Sequence, residues 1–319
     1  ALGGCSGDKK GDISSQITIG IPQDLEDSLD PHKMVTAGTR EVLFNIFEGL
    51  VKVTSDGDFV PAVASSYEET EGGKVYTFTL RDNVKFHDGS TVTAEDVKFS
   101  LDKCADTSAG EPLVAAFSNI DSVNILDDKT VQVVLKEADT EFLAYMTTAI
   151  IPASNADPDT NPIGTGPYKF VSRSPQENFV MERFDDYWGE PAYIKDVTFK
   201  ICANADTIVM DLEGGSIDMF ARVTSTQAAE LSDNFNVLEG TMNLVQALYL
   251  NNAEAPFDNE KVRQALCYAI DPQEIMMMVS DGKGTEVGSS MFPSFGKYFM
   301  PELNDTYNTD IEKAKELLK

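Results

Sequence analysis

Three isoleucines, Ile17, Ile19 and Ile21, alternate with smaller or polar neighbours, and this period of two predicts a strand over Gln16–Ile21. The pattern then changes period. Val42, Leu43, Ile46, Phe47 and Leu50 recur at helical spacing, which predicts a helix capped by Thr39 and closing near Gly49. A β-rich stretch follows over 51–80. It ends in Val75–Leu80, where Tyr76, Phe78 and Leu80 face one way and Thr77 and Thr79 the other. Asp88-Gly89 marks a turn, because glycine takes positive φ without a steric penalty. Thr93 caps the next helix, with Glu95 and Asp96 in the first turn, where the helix dipole favours acids.

The same switching of period runs on. Strands are expected over Thr130–Leu135 after the turn Asp127-Asp128, near 179–183 and 197–201, and over 244–250. A helix over 205–212 stops at Gly214-Gly215, and Ile217-Asp218-Met219-Phe220 enters a further strand. Asp258 is expected to cap a helix carrying Val262, Ala265, Leu266 and Ala269. Asp271-Pro272 opens another, with proline in the first turn and Glu274 completing a cap-like box. The last helix, over 310–319, meets no Gly, Asn or Pro, a pattern expected of a chain cut short inside the element. No internal repeat or low-complexity tract is seen. Strands and helices interleaved in this way predict an α/β or α+β protein.

Composition removes several functions. At 319 residues and 42% apolar the chain can bury one large core or two to three smaller ones. Its 25 basic and 53 acidic residues leave a formal net charge of −28, which repels phosphate backbones and argues against a nucleic-acid partner. The acids are spread along the chain, as on a solvated surface. No stretch approaches the roughly 18 uninterrupted apolar residues of a membrane span. Cys5, Cys104, Cys202 and Cys267 match neither a CxxC pair nor a zinc site, so no metal or cofactor is expected. With only two histidines, His32 and His87, and no Ser-His-Asp arrangement, no catalytic residues are expected either. Cys5 stands apart. Leu2-Gly3-Gly4-Cys5 reads as the recognition sequence of lipoprotein signal peptidase, followed by a polar tether. Residues 1–4 would then be a signal-peptide remnant, and Cys5 the diacylated anchor, since two acyl chains hold where one binds only marginally.

Six stretches carry a resemblance. They are the block from Leu80 to Leu101; Leu29-Asp30-Pro31-His32 with Phe44-Asn45-Ile46-Phe47-Glu48-Gly49-Leu50; Ile163-Gly164-Thr165-Gly166-Pro167-Tyr168; and Gly215-Ser216-Ile217-Asp218. The fifth is Leu250-Asn251-Asn252 with Pro256-Phe257-Asp258 through Leu266, and the sixth is the tail from Asp310. In this order, and over nearly the whole chain from Ile17, they resemble the peptide- and nickel-type extracellular solute-binding proteins that feed ABC importers.

The resemblance implies an α/β, periplasmic-binding-protein-like fold of two lobes around a cleft, with a subdomain inserted in the first lobe and the second lobe incomplete. Residues 1–11 would be the lipobox remnant and tether, 12–47 plus 163–242 lobe I, 48–162 the insert, and 243–319 the hinge crossing and start of lobe II. The implied function is capture of a di- or oligopeptide outside the cell and its delivery to ABC permease subunits. The implied protein is a monomer, lipid-anchored on the outer face of the cytoplasmic membrane or periplasmic. By motif position, Val35, Thr36 and Ala37 would line the cleft. Arg222, four residues past Asp218, would hold a ligand carboxylate by a bidentate pair. Met242 and Ala247 flank the crossing where oligopeptide-binding relatives often carry aromatic residues; their absence counts against a long peptide. Nickel chelate, haem or oligosaccharide as ligand, and a surface receptor for signalling peptides, remain as alternatives; an enzyme is not expected.

Overall fold

In the computed structural model, residues 15–231, 233–242, 244–288, 291–296 and 298–319 are described. They divide into two compact units, 1–222 and 223–319.

Among the described residues the first unit holds three sheets, one of them a short two-stranded pair. Strands β1 (Gln16–Ile21), β8 (Tyr168–Ser174), β9 (Asn178–Arg183), β10 (Asp196–Ile201) and β11 (Met219–Phe220) form a five-stranded sheet in the order β11-β1-β10-β9-β8. Here β1 runs parallel to both of its neighbours, Ile19 facing Phe199 on one side and Met219 on the other. Helix α1 (Ala37–Leu43) and the loop before it pack on this sheet. Leu29, Val42, Leu43, Ile46 and Phe47 join Phe179, Met181, Val197 and Phe199 in one core.

Between β1 and β8 in sequence lies a second assembly with its own core. After the short pair β2 (Val51–Val53) and β3 (Phe59–Pro61), strands β4 (Ala64–Thr70), β5 (Val75–Leu80), β6 (Ile120–Asp127) and β7 (Thr130–Leu135) form an antiparallel sheet in the order β4-β5-β7-β6. Helix α2 (Ala94–Ala105) buries Val97, Leu101 and Cys104 against Phe78, Val123, Val131 and Val133. The sequence reading of α2 holds in detail: the Thr93 hydroxyl accepts the Asp96 N–H, and the Asp96 carboxylate accepts the Thr93 N–H in return.

Three local expectations are corrected. The cap of α1 is Thr36, three residues before Thr39, and the helix ends at Leu43 rather than near Gly49. It stops because the carbonyls of Asn45 and Ile46 accept the N–H groups of Tyr168 and Gly166, at 3.1 and 2.8 Å, instead of serving the next helical turn.

Helix α3 (Ile208–Glu213) belongs to the first unit; in the second, α4 (Ser225–Leu231) precedes α5 (Glu260–Ala269), α6 (Pro272–Ser280) and α7 (Ile311–Leu317). The cap of α5 is Asn259, one residue past Asp258, because the Asn259 side chain accepts the Lys261 N–H. Residues 244–250 form no strand among the described residues. A strand needs a partner for its backbone groups, and no described segment pairs with this one. Asp271 caps α6 as expected, accepting the N–H groups of Gln273 and Glu274.

Candidate functional site

One carboxylate organises the start of α1. Glu26 accepts the N–H groups of Val35 and Thr36 and the Thr36 hydroxyl, at 3.1–3.3 Å. Burial works to raise its pKa, but the hydrogen bonds from Thr36 and Val35 outweigh it and hold the carboxyl below its ordinary range. An acid here also suits the unpaired N–H groups and positive dipole end of the helix. Val35, Thr36 and Ala37 are thereby fixed as an exposed rim, Val35 with 77% of its surface in solvent.

Beside this rim lies a cavity of about 320 Å³. Its walls are α1 with the loop at 31–34 on one side, and residues 113–114 and 147–149 on the other. Met34, Leu43, Phe44, Phe47 and Leu113 supply the apolar part of the lining, His32, Thr147 and Thr148 a polar part, and Arg40 is its cation. Phe44 is 66% exposed and Leu113 48%, large apolar groups left in water on a concave surface, the kind of lining a ligand covers. Arg40 donates from Nη2 to the Met34 carbonyl at 3.1 Å.

Behind the cavity is a buried polar network. The His32 ring nitrogen Nε2 stands 2.8 Å from the Ala149 carbonyl, which makes it the protonated nitrogen. Burial lowers the pKa of this histidine, so the neutral ring is the favoured form. Asp30 is fully buried, 2.6 Å from Lys103 Nζ and 3.0 Å from the His32 N–H it accepts. This pair ties the loop at 29–32 to the last turn of α2 and fixes the cavity wall. Removing one partner would strand the other charge without water.

The second histidine is a clasp. His87 Nδ1 accepts the Gly164 N–H at 3.3 Å, while Nε2 donates to the Gly166 carbonyl at 2.9 Å. Phe184 packs edge-on against the ring at 4.9 Å. Burial pushes the His87 pKa down to about 4, in keeping with a neutral ring that uses both nitrogens. Both glycines are required. A side chain at Gly166 would press on the Asn45 and Ile46 carbonyls, and one at Gly164 on Ile46 and Phe47. Close by, the Glu48 carboxylate accepts the Tyr187 hydroxyl and the Trp188 Nε1–H, both at 2.6 Å, and the Thr165 hydroxyl at 3.2 Å. Burial and then the Glu48 bond raise the Tyr187 pKa far above its usual value. Both histidines hold backbone in place.

Of the residues expected from sequence, Val35, Thr36 and Ala37 share the α1 rim. Arg222 meets the same helix from another side, pairing with Glu41. It follows the end of β11, whose neighbour β1 is parallel, so both carboxyl ends lie on one edge of the sheet, where open α/β sheets place their ligands. Its φ of 66° is uncommon for a residue other than glycine and recurs at functional sites. Met242 and Ala247 are exposed positions of the second unit. Cys5 lies outside the described residues. Sequence reasoning missed Arg40 and Leu113, which belong to no motif, and Phe44, which opens the block from Phe44 to Leu50 without being singled out by it. One signal was available: Phe44 is an aromatic residue out of register with the buried stripe of Val42, Leu43, Ile46 and Phe47. Among the described residues no group of three or more His, Cys, Asp and Glu side chains is placed to hold a metal, and no helix is long and apolar enough to cross a membrane.

Comparison with known proteins places the chain in a family. Residues 58–319 match the family described as bacterial extracellular solute-binding proteins, family 5 Middle. The chain belongs to family 5 of the bacterial extracellular solute-binding proteins, a family of solute-binding transport proteins rather than enzymes. It is 29% identical over 307 residues to the glutathione-binding protein GsiB of Pectobacterium atrosepticum, covering 92% of this chain and 58% of that one. It is 32% identical over 293 residues to heme-binding protein A of Haemophilus influenzae, covering 82% and 53%. The structure of HbpA2 from Haemophilus parasuis aligns with a TM-score of 0.84 at 29% identity, over 95% of this chain and 66% of that one. The fold is thus the mixed α/β, periplasmic-binding-protein-like fold expected from sequence. The chain spans a little over half the length of these curated relatives.

Proposed function

We propose that this protein is the substrate-binding component of an ABC importer and that its ligand is a peptide. The observation that carries the reading is the cavity beside α1. It is concave, lined by apolar and polar groups together and edged by one cation, a lining suited to the side chains and the polar main chain of a peptide. The similarity to a glutathione-binding protein, whose ligand is a tripeptide, supports it. Val35, Thr36, Ala37, Arg222, Met242 and Ala247 are the proposed ligand contacts. The proposed division is lobe I at 12–47 plus 163–242, an insert at 48–162, and the beginning of lobe II at 243–319. The separate sheet and core of β4 to β7 support the insert. Cys5 would carry the lipid anchor on the outer face of the membrane, and the working form would be a monomer partnered by permease subunits. The role is capture, with no bond of the ligand broken.

The test is uptake of a labelled tripeptide mixture by cells with and without the gene. Loss of uptake without the gene is expected; unchanged uptake would move the protein to the surface-receptor reading. A second ligand class, haem, is favoured by the 32% identity to a heme-binding protein. A Soret band on titration with haemin, and no response to peptides, would select it.

A further inference from the structure

Arg40, Arg81 and Arg263 have no carboxylate partner among the described residues, and of these Arg40 edges the cavity beside α1. Among the described residues, Arg173, Arg183 and Arg222 each pair with a carboxylate: Asp24, Asp185 and Glu41. Arg81 stacks on Trp188 at 4.2 Å and donates to the Ala62 carbonyl. Arg263 donates to the Phe257 carbonyl. Arg40 has the Met34 carbonyl as its one partner, which leaves most of its five donors to solvent at the edge of the cavity. The acids of α1 and of the loop before it that make contacts nearby, Glu26, Glu41 and Asp30, are already occupied. Glu26 is filled by the N–H groups of Val35 and Thr36, Glu41 by Arg222, and Asp30 by Lys103. Since consecutive helical residues point about 100° apart, Glu41 reaches Arg222 while Arg40 shares the cavity face with Phe44, one turn on.

We propose that Arg40 is a specificity-determining residue, and that the cavity selects ligands carrying a carboxylate on a short apolar arm. The carboxylate meets the free guanidinium edge, and the arm lies against Phe44, Phe47 and Leu113. The proposal rests on the solute-binding reading and deepens it by naming the ligand chemistry. A net charge of −28 repels anions at long range, so their capture needs a local cation, and a planar guanidinium suits a carboxylate bidentately. A neutral ligand of the same shape would leave that cation without a partner.

The experiment is an NMR-detected titration of the full chain with hexanoate and with hexanamide, repeated on Arg40→Gln and Arg40→Lys. Arg40 is exposed, so both variants are expected to fold. Hexanoate is expected to bind more tightly than hexanamide and to shift the amides of residues 31–47. Arg40→Gln should weaken hexanoate by about tenfold and leave hexanamide unchanged, with Arg40→Lys in between. Equal binding of the two probes, no binding of hexanoate, or an unaffected Arg40→Gln variant would overturn the proposal. The tripeptides Ala-Leu-Glu and Ala-Leu-Gln separate it from the reading beneath it. If neither binds while hexanoate does, the pocket stands and the peptide assignment falls. If both bind equally to wild type and to Arg40→Gln, the peptide assignment stands and the proposal falls.

Discussion

His87 links a side chain to acid sensitivity. Its pKa is about 4 in the folded chain, against an ordinary value of 6.5. Both states are neutral above pH 6.5, so the clasp contributes fully there. As pH falls toward 4, the unfolded chain takes up a proton that the folded chain refuses, and stability declines. The loss is about 3 kcal/mol across that window, measurable as urea midpoints at several pH values. His87→Gln keeps a donor and an acceptor, is less stable at neutral pH, and should lack that part of the slope. Glu48 makes a second prediction. In Glu48→Gln an amide NH2 would oppose donor groups from Tyr187, Trp188 and Thr165, at a cost of about 1–3 kcal/mol. Because the chain has a single tryptophan, its fluorescence reports the change directly; an unaltered spectrum and midpoint would contradict the assigned contacts. Sequence reading placed both histidines in structural blocks. It missed what they bind, since the Gly164 and Ala149 partners are 77 and 117 residues away.

Elements were legible where the signal is local. Thr93 with Asp96, and Asp271 with Pro272, satisfy their own first turns, so their caps could be read directly. Thr93→Ala should cost about 1 kcal/mol, seen as a lower urea midpoint with an unchanged m-value. A variant as stable as wild type would show that the box contributes nothing. Misreadings fall where distant chain takes over. Helix α1 stops early because its carbonyls serve the segment at 166–168, and no periodicity in 37–50 carries that information. Residues 244–250 alternate like a strand, yet pairing is a property of two segments and the pattern describes one. The α1 rim shows the same division. Thr36 and Val35 were found from their place after a motif, while Arg40 and Phe44 depend on residues 113 and 147–149 arriving opposite them.

At the level of the assembled chain, the account is one of capture. The two cores of the first unit hold α1 and its rim through the Asp30–Lys103 pair and the His87 clasp, and the proposed ligand contacts Val35, Thr36 and Ala37 sit on that support. Fold and family were readable because their motifs are turns, glycine contacts and caps, which recur wherever the same backbone must be built. Ligand identity was not readable, because it depends on side chains such as Arg40 and Leu113 that the backbone leaves free to vary. The most direct measurement is a calorimetric titration of the purified protein with a panel of tripeptides, with mass spectrometry of each peptide after prolonged incubation. The account predicts saturable one-to-one binding of at least one peptide, recovered intact. Cleavage of the bound peptide, or no heat from any member of the panel, would contradict it.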